Sequence, residues 1–174
     1  MSFTQACFIR KNTPELRKKL EDLGYNKSEF GSDLNNSIAT TVSNDKPSYT
    51  CIKEQSFDDT NPHTTWGFKF RIDCDDNEEL FLALASLRDD TDEKQWFIFP
   101  KTQTKIISGW FGQVVGMDGH YQEIIGYDWI QYNMDDKKLS EKIEFGLSVC
   151  CDEERKFIPH KATVEEIVGR FKTK

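Results

Sequence analysis

The sequence lacks the runs and spacings that mark several large classes of protein. It has no apolar stretch long enough to cross a membrane, no internal repeat and no low-complexity tract. It has no CxxC pair, and its three histidines form no HxxxH spacing, so the usual zinc patterns are absent. The motifs GxGxxG, GxxxxGK[ST] and GxSxG are also missing. The sequence therefore predicts no cofactor, no metal ligand and no membrane contact.

The number of cysteines is odd. The five cysteines are Cys7, Cys51, Cys74, Cys150 and Cys151. Neither their count nor their spacing suggests a disulfide framework, and the N-terminal segment has no apolar run of signal-peptide length. Cys7 and Cys51 stand in apolar, strand-like sequence, where a thiol behaves as a small hydrophobe. A reducing, cytoplasmic location is therefore expected.

Basic residues are outnumbered, with 23 Lys and Arg against 30 Asp and Glu, for a net charge of −7. An acidic protein is poorly suited to bind nucleic acid or anionic lipid over a large surface. The N-terminal region still contains a basic group, formed by Arg10, Lys11, Arg17, Lys18 and Lys19. Weak nucleic-acid binding through the N-terminal helix is one alternative function.

Three segments carry the start signals and the apolar periodicity of helices. Thr13 precedes Pro14, Asn77 precedes two glutamates, and Thr163 begins the capping-box sequence Thr-Val-Glu-Glu. Apolar residues then recur at intervals of three and four. We therefore predict helices after residues 13, 77 and 163, the second of them ending near Arg88.

The remaining apolar segments have the alternation or the β-branched and aromatic content of strands. Strands are predicted at 5–10, 37–43, 49–54, 66–73, 95–99, 106–111, 113–117, 121–131 and 143–151. Pro100 is expected to end one of them, and Asp118-Gly119 to form a hairpin turn. Polar loops are predicted at 26–36 and 57–65, with a short helix capped by Ser140. Residues 1–174 then form a single α+β domain, with a largely antiparallel sheet and two to three helices packed on one face.

Three phrases of the sequence are similar to a family of small proteins from phages and mobile elements of Bacteroidales. They are CFIRKNTPELRKKLEDLGY (7–25), NEELFLALASLRDDTDEKQWF (77–97) and HKATVEEIVGRFK (160–172). The family has no established biochemistry, and the three phrases coincide with the predicted helices. The resemblance implies a cytoplasmic accessory protein of a mobile element and assigns no catalytic residue.

Two acidic clusters are candidate metal sites. The first, Asp73 to Glu79, carries oxygen-bearing side chains at alternate positions, as a calcium loop does. Its sixth and twelfth positions hold Glu78 and Leu84 in place of glycine and glutamate, and Asn77 is needed as a helix cap. The second cluster, Asp89 to Glu93, follows a predicted helix end. We interpret them as a helix start and a solvated loop, and a metal-dependent hydrolase using the aspartates is an alternative.

Aromatic residues, at 13% of the chain, are the most unusual feature that is present. Most fit the buried faces of strands, but one group crowds around a hairpin rich in glycine and cannot all point inward. The candidate partner-binding residues are Trp110, Phe111, Tyr121, Tyr127, Trp129 and Tyr132.

The leading hypothesis is a non-enzymatic protein that binds another protein through these aromatic residues and an acidic rim, as an inhibitor or regulator. Mimicry of nucleic acid by its carboxylates is one version. His120, expected at a hairpin tip, and His160, expected in a loop, are interpreted as surface residues.

Overall fold

The computed structural model describes residues 5–41, 47–53, 71–88, 91–107, 119–133, 135–136, 139, 141 and 159–172. Some predicted elements lie wholly or mostly outside these residues: the loop at 57–65, the strands at 66–73, 113–117 and 143–151, and the helix start at Ser140.

The three predicted helices are confirmed. They are α1 (Pro14–Asp22), α2 (Glu78–Ala85) and α3 (Val164–Phe171). Thr13, Asn77 and Thr163 each accept a hydrogen bond from an amide in the first turn of the helix that follows. Thr163 also donates its own N–H to Glu166, which completes the capping box. Gly24 follows α1 with a φ of +88°, a conformation that favours glycine.

A five-stranded sheet accompanies the helices. Its strands are β1 (Cys7–Ile9), β2 (Asn26–Gly31), β3 (Ser37–Thr41), β4 (Ser48–Ile52) and β5 (Ile72–Asp73), in the order β2-β4-β3-β1-β5. The predicted pairing of β3 with β4 is confirmed as antiparallel, and β1 also runs antiparallel to β3. The pairs β1–β5 and β2–β4 are parallel.

Strand β2 shows that the prediction of a loop throughout 26–36 was wrong. Asn26 pairs with Ser48 and Lys27 pairs with Tyr49, so the backbone of this polar segment joins the sheet. Five of its six residues are exposed and the sixth is half-buried. An edge strand with solvent around its side chains needs no apolar alternation, so the pattern used to find strands was absent.

The second sheet consists of β6 (Trp96–Ile107), β7 (Gly119–Gln131) and β8 (His160–Lys161), in the antiparallel order β7-β6-β8. The prediction that Pro100 ends a strand was wrong, because β6 continues through Pro100 to Ile107. Strand β8 pairs only with Phe97 and Ile98, so Pro100 has a partner on one side alone among the described strands. Proline lacks an N–H donor and is tolerated at such a position. His160, expected in a loop, belongs to β8.

These elements lie in two compact units, residues 1–95 with 162–174 and residues 96–161. In the first unit, α2 contacts β1, α1 and α3. Its fully buried apolar side chains include Ile9, Leu16, Leu20, Ile38, Tyr49, Leu80, Phe81, Leu84 and Ile167. In the second unit, Phe97 and Leu139 form a small buried cluster. The predicted α+β class with largely antiparallel strands is confirmed, and the described strands are divided between two sheets.

Candidate protein-binding surface

Strand β7 and the residue after it carry four of the six aromatic residues that the sequence singled out. Tyr127 and Trp129 lie in β7, and Tyr132 directly follows it. Tyr121 also lies in β7, where its backbone pairs with Lys105. The other two residues, Trp110 and Phe111, are outside the described part of the chain.

One face of the second sheet changes from covered to open along β7. Residues paired across neighbouring strands share a face, and Trp129 is opposite Ile98 while Tyr127 is opposite Pro100. Ile98 is buried and Trp129 is half-buried. Tyr127 is 52% exposed. The apolar row therefore begins inside the unit and ends at a tyrosine that contacts solvent.

Tyr132 packs on the opposite face of the second sheet. Tyr132 and Phe99 pack against the buried pair of Phe97 and Leu139, and the rings of Phe97 and Tyr132 are 5.7 Å apart at an angle of 53°. Such tilted ring contacts stabilise a core. Tyr132 is thus a packing residue here, on the opposite face from Tyr127. Ile130, opposite Phe97, is 37% exposed.

A bulge in β7 adds an exposed apolar residue that the sequence analysis missed. Thr102 pairs with Ile124 and Lys101 pairs with Gly126, so Ile125 is an extra residue in β7. Ile125 is 59% exposed. The adjacent residues Ile124 and Ile125 break the alternation of apolar and polar residues along the strand, and this break was the sequence signal that could have indicated the bulge.

The segment of β7 and the residues after it, 119–142, contains five Asp and Glu and three Lys. Asp128 forms an ion pair with Lys101, with 2.7 Å between Nζ and Oδ1. Asp135, Asp136 and Glu141 are exposed and follow the strand. Tyr127 and Ile125 are therefore carried by a segment with an excess of carboxylates.

The acidic cluster from Asp73 to Glu79 is engaged with cations of its own chain. The guanidinium of Arg10 lies 2.6 Å from Asp73 and 2.8 Å from Asp75. Glu78 accepts from Lys11 at 2.7 Å and from Lys19 at 2.6 Å. The hydrogen bond from Lys11 has the larger effect and the one from Lys19 the next, and together they hold the pKa of Glu78 below its ordinary value.

Asn77 is confirmed as a helix cap within this cluster. Its Oδ1 accepts from the Leu80 amide at 3.0 Å, and its Nδ2 donates to the Phe171 carbonyl at 2.8 Å. Of the second acidic cluster, Asp89 and Asp90 lie outside the described residues. Among the residues that are described, no group of three or more His, Cys, Asp or Glu side chains is placed to hold a metal ion.

The same ion pairs occupy much of the basic N-terminal group. Arg10, Lys11 and Lys19 face carboxylates, and Arg17 donates to the side-chain oxygen of Asn12 at 2.5 Å. Lys18 is exposed. Nucleic-acid binding by this helix would therefore compete with contacts inside the protein.

The described cysteines are buried, as expected for Cys7 and Cys51. The pKa of Cys74 is raised mainly by a hydrogen bond with Cys7 and also by burial. Burial raises the pKa of Cys51. A raised thiol pKa disfavours the reactive thiolate. Cys150 and Cys151 lie outside the described residues.

No protein-family model, curated protein or solved structure matches this chain. Within the described part of the chain, none of the helices has both the length and the apolar character that crossing a membrane requires.

Proposed function

We propose that this chain is a non-enzymatic binding protein that engages another protein through the exposed apolar residues of β7. The observation that carries the proposal is the exposure of Ile125, at 59%, and of Tyr127, at 52%, on a strand of a folded sheet. An apolar row that leaves the interior and opens to solvent is a common feature of binding surfaces.

The scaffold suits such a contact because the backbone of β7 is held by pairing with β6 on both sides of the bulge at Ile125. Tyrosine offers a large contact area with few rotatable bonds, and Trp129 lies beside it on the same face. Aromatic residues of this kind contribute a large share of the binding energy in many interfaces.

The charges indicate the chemistry of the partner. The excess of carboxylates in residues 119–142, which include the exposed Asp135, Asp136 and Glu141, would favour a partner that carries basic residues. The sequence resemblance suggests the setting, an accessory protein of a phage or mobile element that inhibits or regulates this partner.

The proposal is tested by affinity capture from a Bacteroidales host, followed by binding measurements on the purified candidate. Loss of a tyrosine at the centre of an interface costs about 2 kcal/mol, or roughly 30-fold in Kd. Tyr127→Ser should weaken binding by this amount. Gln103→Ser, a change at an exposed polar residue of the same sheet, should leave the Kd unchanged. Equal binding by wild type and the Tyr127 variant would contradict the proposal.

A further inference from the structure

Over the span where Tyr127 is exposed, one face of the second sheet, here named the neutral face, holds no Asp, Glu, Lys or Arg among its described residues. Its members follow from register, because paired residues and alternate residues along a strand share a face. They are Trp96, Ile98 and Pro100 of β6 with Tyr127, Trp129 and Gln131 of β7. The charged residues of the same span, Lys101 and Asp128, pair with each other on the other face. At the far edge, His160 of β8 is opposite Ile98. The neutral face therefore suits a ligand that has no charge where it touches the sheet.

The open end of the neutral face is formed by Tyr127, Trp129 and Pro100. Tyr127 is 52% exposed, and the other two residues are half-buried. Alternate residues of an antiparallel strand lie about 6.8 Å apart. Two aromatic rings that stand side by side at this spacing leave room for one flat ring in contact with both, since carbon atoms in contact lie about 3.5 Å apart. The five-membered ring of proline has this size and shape.

The chemistry of the neutral face distinguishes between classes of ligand. A nucleic acid needs Lys or Arg for its phosphates. The hydroxyl groups of a sugar donate as well as accept, and carboxylates are the strongest acceptors for them. The described residues of the neutral face supply neither. A proline-rich segment brings apolar rings and carbonyl acceptors, and its prolines have no N–H that must be satisfied. The exposed hydroxyl of Tyr127 can donate to such a carbonyl.

We propose that the neutral face binds a proline-rich segment of the partner in the polyproline II conformation, with a proline ring against Tyr127 and Trp129. This inference rests on the proposed function, because it names the class of segment that β7 would take from its protein partner. Such a segment is extended before it binds, so it loses little conformational entropy. Basic residues of the partner, which the carboxylates of residues 119–142 favour, would lie on either side of the prolines.

The first test compares two peptides that are matched in length and charge. One has eight prolines between two arginines, and the other has alternating glycine and serine between the same arginines. The full chain is labelled with ¹⁵N, and the indole resonance of Trp129 is identified by its loss in Trp129→Phe. The proline peptide should shift this resonance with a Kd below about 1 mM, and the glycine-serine peptide should leave it in place. Equal shifts from both peptides, or none from the proline peptide, would overturn the inference.

The second test places the contact on one face of the sheet. Tyr127→Ser removes an exposed side chain, so the fold should be kept, and it should raise the Kd of the proline peptide about tenfold. Gln103→Ser is the matched control, because Gln103 is exposed and lies on the other face. Its Kd should equal that of wild type. A Tyr127 variant that is folded, as its ¹⁵N spectrum shows, and binds the proline peptide like wild type would overturn the inference.

Two competing probes complete the experiment, a linear glucose hexasaccharide and a short thymidine strand. A shift of the Trp129 resonance by either probe, with none by the proline peptide, would overturn the inference in favour of that class of ligand. Failure of the inference is distinguishable from failure of the proposed function. If the proline peptide does not bind but a captured protein loses affinity through Tyr127→Ser, the inference is wrong and the proposed function stands. If no captured protein depends on Tyr127, the proposed function is itself wrong.

Discussion

Replacing Asn77 with alanine should lower the free energy of unfolding by about 2 kcal/mol. The variant loses the N-cap of α2, which contributes about 1 kcal/mol. It also loses the hydrogen bond to the Phe171 carbonyl at the end of α3, which contributes about another 1 kcal/mol. Because one side chain makes both contacts, the two helices lose a shared attachment in a single substitution.

Asn77→Asp separates the two contributions. Aspartate caps a helix as well as asparagine does, but it has no N–H to donate to Phe171. This variant should therefore lose about 1 kcal/mol and lie between wild type and Asn77→Ala. Urea unfolding followed by circular dichroism measures the order. Equal stability of the alanine and aspartate variants, or a loss of less than about 0.5 kcal/mol for alanine, would refute the reasoning.

Three further predictions concern the first unit. Gly31→Ala should destabilise this unit by about 1 kcal/mol or more in thermal unfolding, because φ is +97° and a Cβ would collide with the backbone carbonyl of Cys51. Gly169→Ala is the contrasting change, since a Cβ there on α3 would enter open space, and it should stabilise the unit by about 0.5–1 kcal/mol. Tyr25→Phe should cost about 1 kcal/mol in urea unfolding, because the hydroxyl donates to the buried Ala85 carbonyl at 2.9 Å. Glu78 has a lowered pKa in the folded state, so its ion pairs stabilise the fold above the ordinary glutamate pKa and lose this effect as the pH falls through the folded value. Unfolding free energies measured between pH 7 and pH 3 should therefore fall less steeply for Glu78→Gln than for wild type, and parallel curves would contradict this assignment.

The helices could be predicted because each has a local start signal. Thr13, Asn77 and Thr163 cap their helices in the way their sequence context indicates, since a cap needs only residues within one turn. Strand β2 and the continuation of β6 through Pro100 could not be predicted in this way. Both depend on which strands are neighbours in the sheet, and this order cannot be determined from a single sequence.

The candidate surface was predictable in part. The sequence showed that the aromatic residues near β7 could not all be buried, but it could not assign them to faces. Register with β6 places Tyr127 opposite Pro100, while the contact with Phe97 places Tyr132 on the other face. The bulge that exposes Ile125 depends on pairing with a distant strand.

Photo-crosslinking at position 127 tests the central claim most directly. The full chain with Tyr127 replaced by p-benzoylphenylalanine, irradiated in host lysate, should give one dominant protein adduct that excess unlabelled wild type suppresses. The same probe in place of Gln103 should give little of this adduct. An adduct of equal yield from both positions, or no adduct from position 127 that wild type suppresses, would contradict the assignment of β7 as the protein-binding surface.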